Sequence, residues 1–326
     1  MSAPETIGRL RRMERLGSGG FATVWRYHDL ELDSDVAVKA LADIWTSRLD
    51  IRDRFLEEAR ILRRADSDHV VRVYDIGETD SGTPYFVMSY ADRGTVADLL
   101  DEGPRPTVAE SVELVRQAGA GLSVLHRAGI IHRDIKPQNL LLRSRPRSEG
   151  PGFEVLVADL GVAKATAHAS GLTQVVGTPA YIAPEQALGT GLDVRADVHS
   201  LGAVTYVLLT GRLVRDDGIG GLLDARLPPA PSTVADVPEA LDPVVLRALE
   251  PDPANRWPDV DSFVDALTRA AAGEDVPEAL ERPAHDASAR AAAASPTSGW
   301  RVALVAALVL VATFVASYFL VSRLVG

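Results

Sequence analysis

Apolar side chains recur at helical spacing between Arg52 and Arg64, with Phe55, Ala59 and Leu62 on one face and Glu58 beside them. The same period from Val112 to His126 predicts a long helix. Val204 to Leu209 is apolar throughout, as a helix buried on every side would be. Shorter runs read as strands. Leu16-Gly17-Ser18-Gly19-Gly20-Phe21-Ala22-Thr23-Val24 is strand, glycine turn, strand, and Val36-Ala37-Val38 is an apolar strand that carries Lys39. Tyr85 to Met88 is a strand that leads into a connector, Ser89-Tyr90-Ala91.

Beyond Ala271 the period is lost. Residues 272–299 are rich in Ala, Pro, Glu and Ser, which predicts a disordered linker. Val302 to Val321 is a run of 20 uncharged, mainly apolar residues between Arg301 and Arg323. At helical rise such a run spans roughly 30 Å, the thickness of a bilayer's hydrocarbon core. A transmembrane helix over 300–321 is therefore expected, with Trp300 and Tyr318 as interfacial anchors and 322–326 as a short extracytoplasmic tail. With so short a tail, no extracellular sensor domain is expected.

Charge and composition narrow the partners. A net charge of −11 argues against nucleic acid, which calls for a basic face. The absence of cysteine excludes disulfides and thiolate metal sites. Residues 1–12 are polar and read as a tail with no secretory signal peptide. The chain holds 31 Arg and only 3 Lys, namely Lys39, Lys136 and Lys164. Lysine's compact ammonium is chemically distinct from arginine's planar fork, so those positions draw notice.

The chemistry concentrates in His132-Arg133-Asp134, Lys136, Asn139 and, after a further stretch, Asp159-Leu160-Gly161. A proton acceptor, a cation and two hard oxygen donors of the type magnesium prefers lie in one short segment. Phosphoryl transfer needs those parts together, because its catalysis is mostly positioning and charge neutralisation. Upstream, Gly17, Gly19 and Gly20 let backbone amides approach an anion without a Cβ between.

With Ala183-Pro184-Glu185 added, these elements stand in the order of the protein kinase family, and the chain resembles the prokaryotic Ser/Thr kinases of eukaryotic type from about Met13 to Ala271. The resemblance implies an α+β bilobal fold. A small lobe over 13–89 would hold a five-stranded antiparallel sheet and one helix, and a mainly helical lobe would cover 90–271. It implies ATP and Mg2+ as cofactors, with Mn2+ as the alternative ion, and protein substrates phosphorylated on Ser or Thr. Asp134 would be the catalytic base and Lys136 would neutralise the γ-phosphate. Lys39, tethered by Glu58, would hold the α and β phosphates, and Asn139 and Asp159 would hold the metal. Leu16, Gly17, Ser18, Gly19, Gly20 and Phe21 would cover the phosphates. Adenine would lie among Val24, Ala37, Met88 and Leu141, bonded to the backbone of Ser89, Tyr90 and Ala91.

The resemblance also assigns supporting roles. His132 and Arg133 belong to the catalytic loop, Asp197 would brace it, Arg256 would pair with Glu185, and Thr178 would bridge Asp134 and Lys136. Arg133 suggests control by phosphorylation of the activation segment, with Thr173 the first candidate acceptor, then Ser170 and Thr166. A second copy of the chain would be the partner for such autophosphorylation. Because ATP is cytosolic, the kinase domain would face the cytoplasm from a single-pass membrane anchor. The sequence departs from the family at Ala22, Leu160 and Ser89, and lacks Pro-Phe after Thr210-Gly211-Arg212. The loop Arg143 to Phe153 reads as a solvated insertion. A catalytically silent scaffold and a small-molecule phosphotransferase are the rival readings, set apart by an Asp134→Asn comparison.

Overall fold

Alternation of apolar and polar positions gives the amino-terminal sheet two distinct faces. The computed structural model describes residues 4–145, 152–160, 179–189, 191–215 and 226–277. Six antiparallel strands follow the order β1-β2-β3-β4-β6-β5. They are β1 (Thr6–Ile7), β2 (Leu10–Ser18), β3 (Ala22–Asp29), β4 (Ser34–Leu41), β5 (Val73–Glu78) and β6 (Pro84–Ser89). Across β3, β4 and β6 the register sets Val24 beside Lys39 and Phe86, and Ala37 beside Met88. Period two then directs Ala22, Val24, Ala37, Lys39, Leu41, Phe86 and Met88 to one face. The opposite face gathers Tyr27, Val36, Val38 and Val87 in a separate cluster.

The sheet has one strand more than expected and begins earlier. Residues 6–12 are not a tail: Ile7 and Leu10 pack on the outer cluster, and the Tyr27 hydroxyl donates to Pro4 O at 2.7 Å. A strand as short as Thr6–Ile7 carries no readable alternation. Against the inner face lies α1 (Leu49–Arg64), which buries Ile51, Phe55, Glu58, Ala59 and Leu62.

The second lobe is helical: α2 (Val96–Glu102), α3 (Val108–Arg127), α4 (Pro184–Leu188), α5 (Arg195–Thr210), α6 (Pro231–Val234), α7 (Leu241–Ala248) and α8 (Val260–Ala272). Thr95 with Asp98, and Thr107 with Glu110, form capping boxes that start α2 and α3. Every residue of α5 from Ala196 to Thr210 is buried. Its hydroxyls stay satisfied by bonding back one turn, as with Thr205 Oγ1 to Leu201 O at 2.8 Å. Gly121 of α3 lies against the His69 carbonyl, where any Cβ would collide. That close approach lets α3 support the hairpin of β7 (Leu140–Ser144) and β8 (Phe153–Val157). Val71 N to Val157 O, at 2.9 Å, ties the hairpin to the first lobe. The expected insertion after Arg143 is shorter than supposed: β7 runs to Ser144, and Arg143 and Arg145 both pair with Glu154. Among the described residues no helix is long and apolar enough to cross a membrane. Residues 300–321 lie outside them, as do most of the linker, Thr166, Ser170, Thr173 and Thr178.

Candidate active site

The inner face of β4 delivers Lys39 into a buried position, its side chain only 9% exposed. One turn of α1 presents Glu58 to it, and Lys39 Nζ donates to Glu58 Oε1 at 2.7 Å. The same nitrogen donates to Asp159 Oδ1 at 2.8 Å. Burial disfavours the ammonium, but the Asp159 and Glu58 carboxylates outweigh it and hold the lysine above its ordinary pKa. Lys39 is therefore a fixed cation that joins the sheet, α1 and the start of the segment after β8.

A second cluster is organised by Asp197, fully buried on α5. Its carboxylate accepts from His132 N at 2.7 Å and Arg133 N at 2.9 Å, and lies 2.8 Å from His126 Nε2. Two backbone amides and an imidazole on one carboxylate fix the path of the loop. That matters because Arg133 (φ 68°) and Asp159 (φ 61°) both adopt left-handed backbone, which costs energy for residues with a Cβ. His132 Nε2 lies 3.0 Å from Ala158 O, and a carbonyl can only accept, so Nε2 carries the proton. Nδ1 is then free to accept from Asp134 N at 3.3 Å. Burial pushes the imidazole's pKa down, against the pull of Asp197 and Asp134, which keeps it in this neutral form.

Asp134 is held on both carboxylate oxygens. Lys136 Nζ donates to Oδ1 at 3.2 Å and Asn139 Nδ2 to Oδ2 at 2.8 Å. Asn139 Nδ2 also bonds Asp134 O at 2.6 Å, so the amide oxygen is the atom Asn139 has to offer a cation. Ala158 N bonds Asn139 O at 3.0 Å, which brings Asn139 alongside the residue preceding Asp159. In front of Asp134 opens a small pocket lined by Arg133, Asp134, Ile135, Lys136, Tyr181, Ile182 and Ser200. The floor is braced from outside. Gln186 Nε2 donates to Arg133 O at 2.7 Å, and Arg256 holds Glu185 through two bonds of 2.6 and 2.8 Å.

Above Lys39, the turn of Gly17, Gly19 and Gly20 has open space beside it. A Cβ built on any of the three meets no atom closer than 3.8 Å. None has positive φ, so the fold itself does not demand glycine there. Space that side chains would fill is what a polyphosphate cradle requires. The site also suits magnesium. Asn139 and Asp159 offer hard oxygen donors of the kind that magnesium takes. Magnesium takes few protein ligands and completes its shell with phosphate and water.

Ala37 and Met88 are buried side by side, and Val24 and Leu141 are partly buried on the same core. Leu16 is exposed. The Ser89 side chain turns away to accept from Arg72 N at 3.2 Å, and Tyr90 lies 5.8 Å from the Arg26 guanidinium. Ala91 is partly buried against the core. The Phe21 ring is buried and stacks on Trp45, with centroids 5.2 Å apart. Sequence reading missed His126, Gln186 and Trp45. The first two look like ordinary helix positions, and Trp45 sits in a loop without period.

The chain is similar to known proteins in sequence and in fold. The family model for the protein kinase domain matches residues 10–226. Serine/threonine-protein kinase Pkn1 of Myxococcus xanthus is 38% identical over 275 residues, 81% of this chain and 38% of that protein. Serine/threonine-protein kinase PknL of Mycobacterium tuberculosis is 36% identical over 277 residues, 82% of this chain and 66% of that one. The chain thus spans between 34% and 66% of the length of these curated relatives and others it matches. The crystal structure of the Mycobacterium tuberculosis PknI kinase domain superposes with a TM-score of 0.64 at 26% identity, covering 82% of this chain and 98% of that one.

Proposed function

Because the chain belongs to the protein kinase domain family, we propose that it transfers the γ-phosphate of ATP to serine or threonine hydroxyls of proteins. The observation that carries this reading is the convergence of Lys39, Glu58 and Asp159 in one hydrogen-bonded cluster, joined through Ala158 to Asp134, Lys136 and Asn139. In this mechanism the glycine-turn amides and Lys39 hold the polyphosphate, and Glu58 keeps the ammonium from turning away. Asn139 and Asp159 hold magnesium, which when bound neutralises phosphate charge. Asp134, oriented by Asn139 and Lys136, accepts the proton of the substrate hydroxyl as its oxygen attacks the γ-phosphorus. The bond to the bridging oxygen breaks and ADP leaves. Lys136 stands beside the charge that develops on the transferred group.

Three further parts of the proposal rest on the sequence. Residues 300–321 anchor the chain in the membrane with the kinase domain cytoplasmic. A second copy phosphorylates the segment between Asp159 and Glu185, first at Thr173. Protein hydroxyls, and not metabolites, are the acceptors.

The test uses the full chain with magnesium and radiolabelled ATP on a general protein acceptor. Wild type is expected to label protein, and Asp134→Asn to lose about 10²- to 10⁴-fold in transfer while still binding nucleotide. Labelling of equal size in Asp134→Asn would remove the assigned base. Phosphopeptide mapping and membrane fractionation of the same preparation address the autophosphorylation and the anchor.

A further inference from the structure

The glycine turn is tied down from one side. Trp45 lies in a 3-10 turn, Asp43–Trp45, within the short connection from β4 to α1. Its indole stacks on Phe21 with an interplanar angle of 17°. Its Nε1 donates to Gly20 O at 2.6 Å. Backbone bonds complete the attachment: Ala42 N to Phe21 O at 2.8 Å, Trp45 N to Ala42 O at 2.9 Å and Gly19 N to Ala22 O at 2.8 Å. Among the described residues Trp45 supplies the one side-chain hydrogen bond to the tip of the turn. The β2–β3 pairing holds the two arms as far as Ser18 and Thr23, and no side chain fills the space beside the glycines, so the tip between the arms rests on these contacts.

The connection that bears Trp45 joins β4, which carries Lys39, to α1, which carries Glu58. The clamp therefore joins the cover over the phosphates to the two elements whose pairing builds the floor. A tryptophan that only filled space would not need its N–H aimed at a turn carbonyl. Here the ring supplies the stack and the nitrogen supplies the bond, on adjacent residues of the same turn.

We propose that Trp45 is a positioning residue for the polyphosphate. It holds the glycine turn down over the cleft and couples its closure to the placement of α1. The proposal rests on the kinase reading above. Removing the clamp lets the turn lift, so the loss falls on ligands that carry phosphates and spares those that do not.

The experiment measures binding to the full chain by calorimetry, with magnesium-ATP and with adenosine as probes. Trp45→Ala is expected to weaken ATP about ten-fold and leave adenosine within two-fold. Trp45→Phe, which keeps the stack and loses the donor, is expected to fall between, and to carry the test if Trp45→Ala does not fold. Steady-state rates should show the KM for ATP rising more than kcat falls. Equal loss for ATP and adenosine would reduce Trp45 to a packing residue and overturn the proposal, as would unchanged ATP affinity in a folded Trp45→Phe and Trp45→Ala pair. Wild type that binds neither probe would overturn the kinase reading itself, which is a different result.

Discussion

At the scale of single residues, the site depends on carboxylates with assigned partners. Asp197 shows this best, because it never faces the cleft. It is fully buried and accepts the amides of His132 and Arg133, and so sets the backbone that places Asp134. Asp197→Asn keeps the shape but removes the charge and exchanges one acceptor for a donor that faces an N–H. Leaving a buried donor unsatisfied costs about 1–3 kcal/mol. Thermal melting should therefore show a lowered Tm, and the transfer rate should fall further than stability does, because Arg133 relaxes from its strained φ. A variant with full activity would mean that the loop holds itself. Residue identities were legible where the chemistry is local: Asp134, Lys136 and Asn139 lie within one short stretch and had to be neighbours. The pairing of Lys39 with Glu58 was legible from the helical spacing that sets Glu58 beside the apolar face of α1, and the family resemblance pointed the same way. The orientation of Phe21 was not legible at all, because an aromatic at a turn tip can pack on either side. The deciding partner, Trp45, has no pattern of its own.

At the scale of elements, the second lobe is joined by ion pairs between segments far apart in sequence. Arg256, in the turn before α8, reaches Glu185 on α4 and also donates to the carbonyls of Glu250, Pro251 and Arg195. Its side chain has no exposed surface. Losing one partner of such a pair leaves an uncompensated buried charge, at a cost of about 3–5 kcal/mol. Arg256→Met should lower Tm on the order of 10 °C for a domain of this size. Glu185→Gln in the same chain should recover part of that loss, because the orphaned carboxylate is gone. Denaturant midpoints of the two single variants and the double variant close the cycle; strictly additive losses would show that the pair is not coupled. The apolar period gave the long helices α1, α3 and α5 readily. It could not give β1, whose two residues lie below the length at which alternation registers, nor the arms of the β7–β8 hairpin, where Arg143 and Arg145 look like solvated loop until Glu154 is placed beside them.

For the whole molecule, buried histidines make stability depend on pH. His132 and His199 are both fully buried. Burial lowers the pKa of each below the ordinary 6.5, and for His199 the charges of Arg256 and Arg215 add to the effect. In the unfolded chain both imidazoles bind a proton near pH 6.5, whereas the fold keeps them neutral. Below that pH the unfolded state takes up more protons than the folded one, so unfolding becomes easier as pH falls. The contribution is fully present above pH 6.5 and is lost progressively down through the lowered folded values. Each histidine that stays neutral in the fold contributes about 1 kcal/mol of lost stability between pH 7.5 and 5.5. Carboxylates whose values are held low, such as Asp193 beside Arg195, begin to matter only at more acid pH, so they do not blur the window. Urea midpoints should thus be lower at pH 5.5 than at 7.5. His199→Gln should flatten the slope by about one proton, since a glutamine has nothing to titrate. Equal midpoints at the two pH values would mean that the folded chain takes up these protons as readily as the unfolded one.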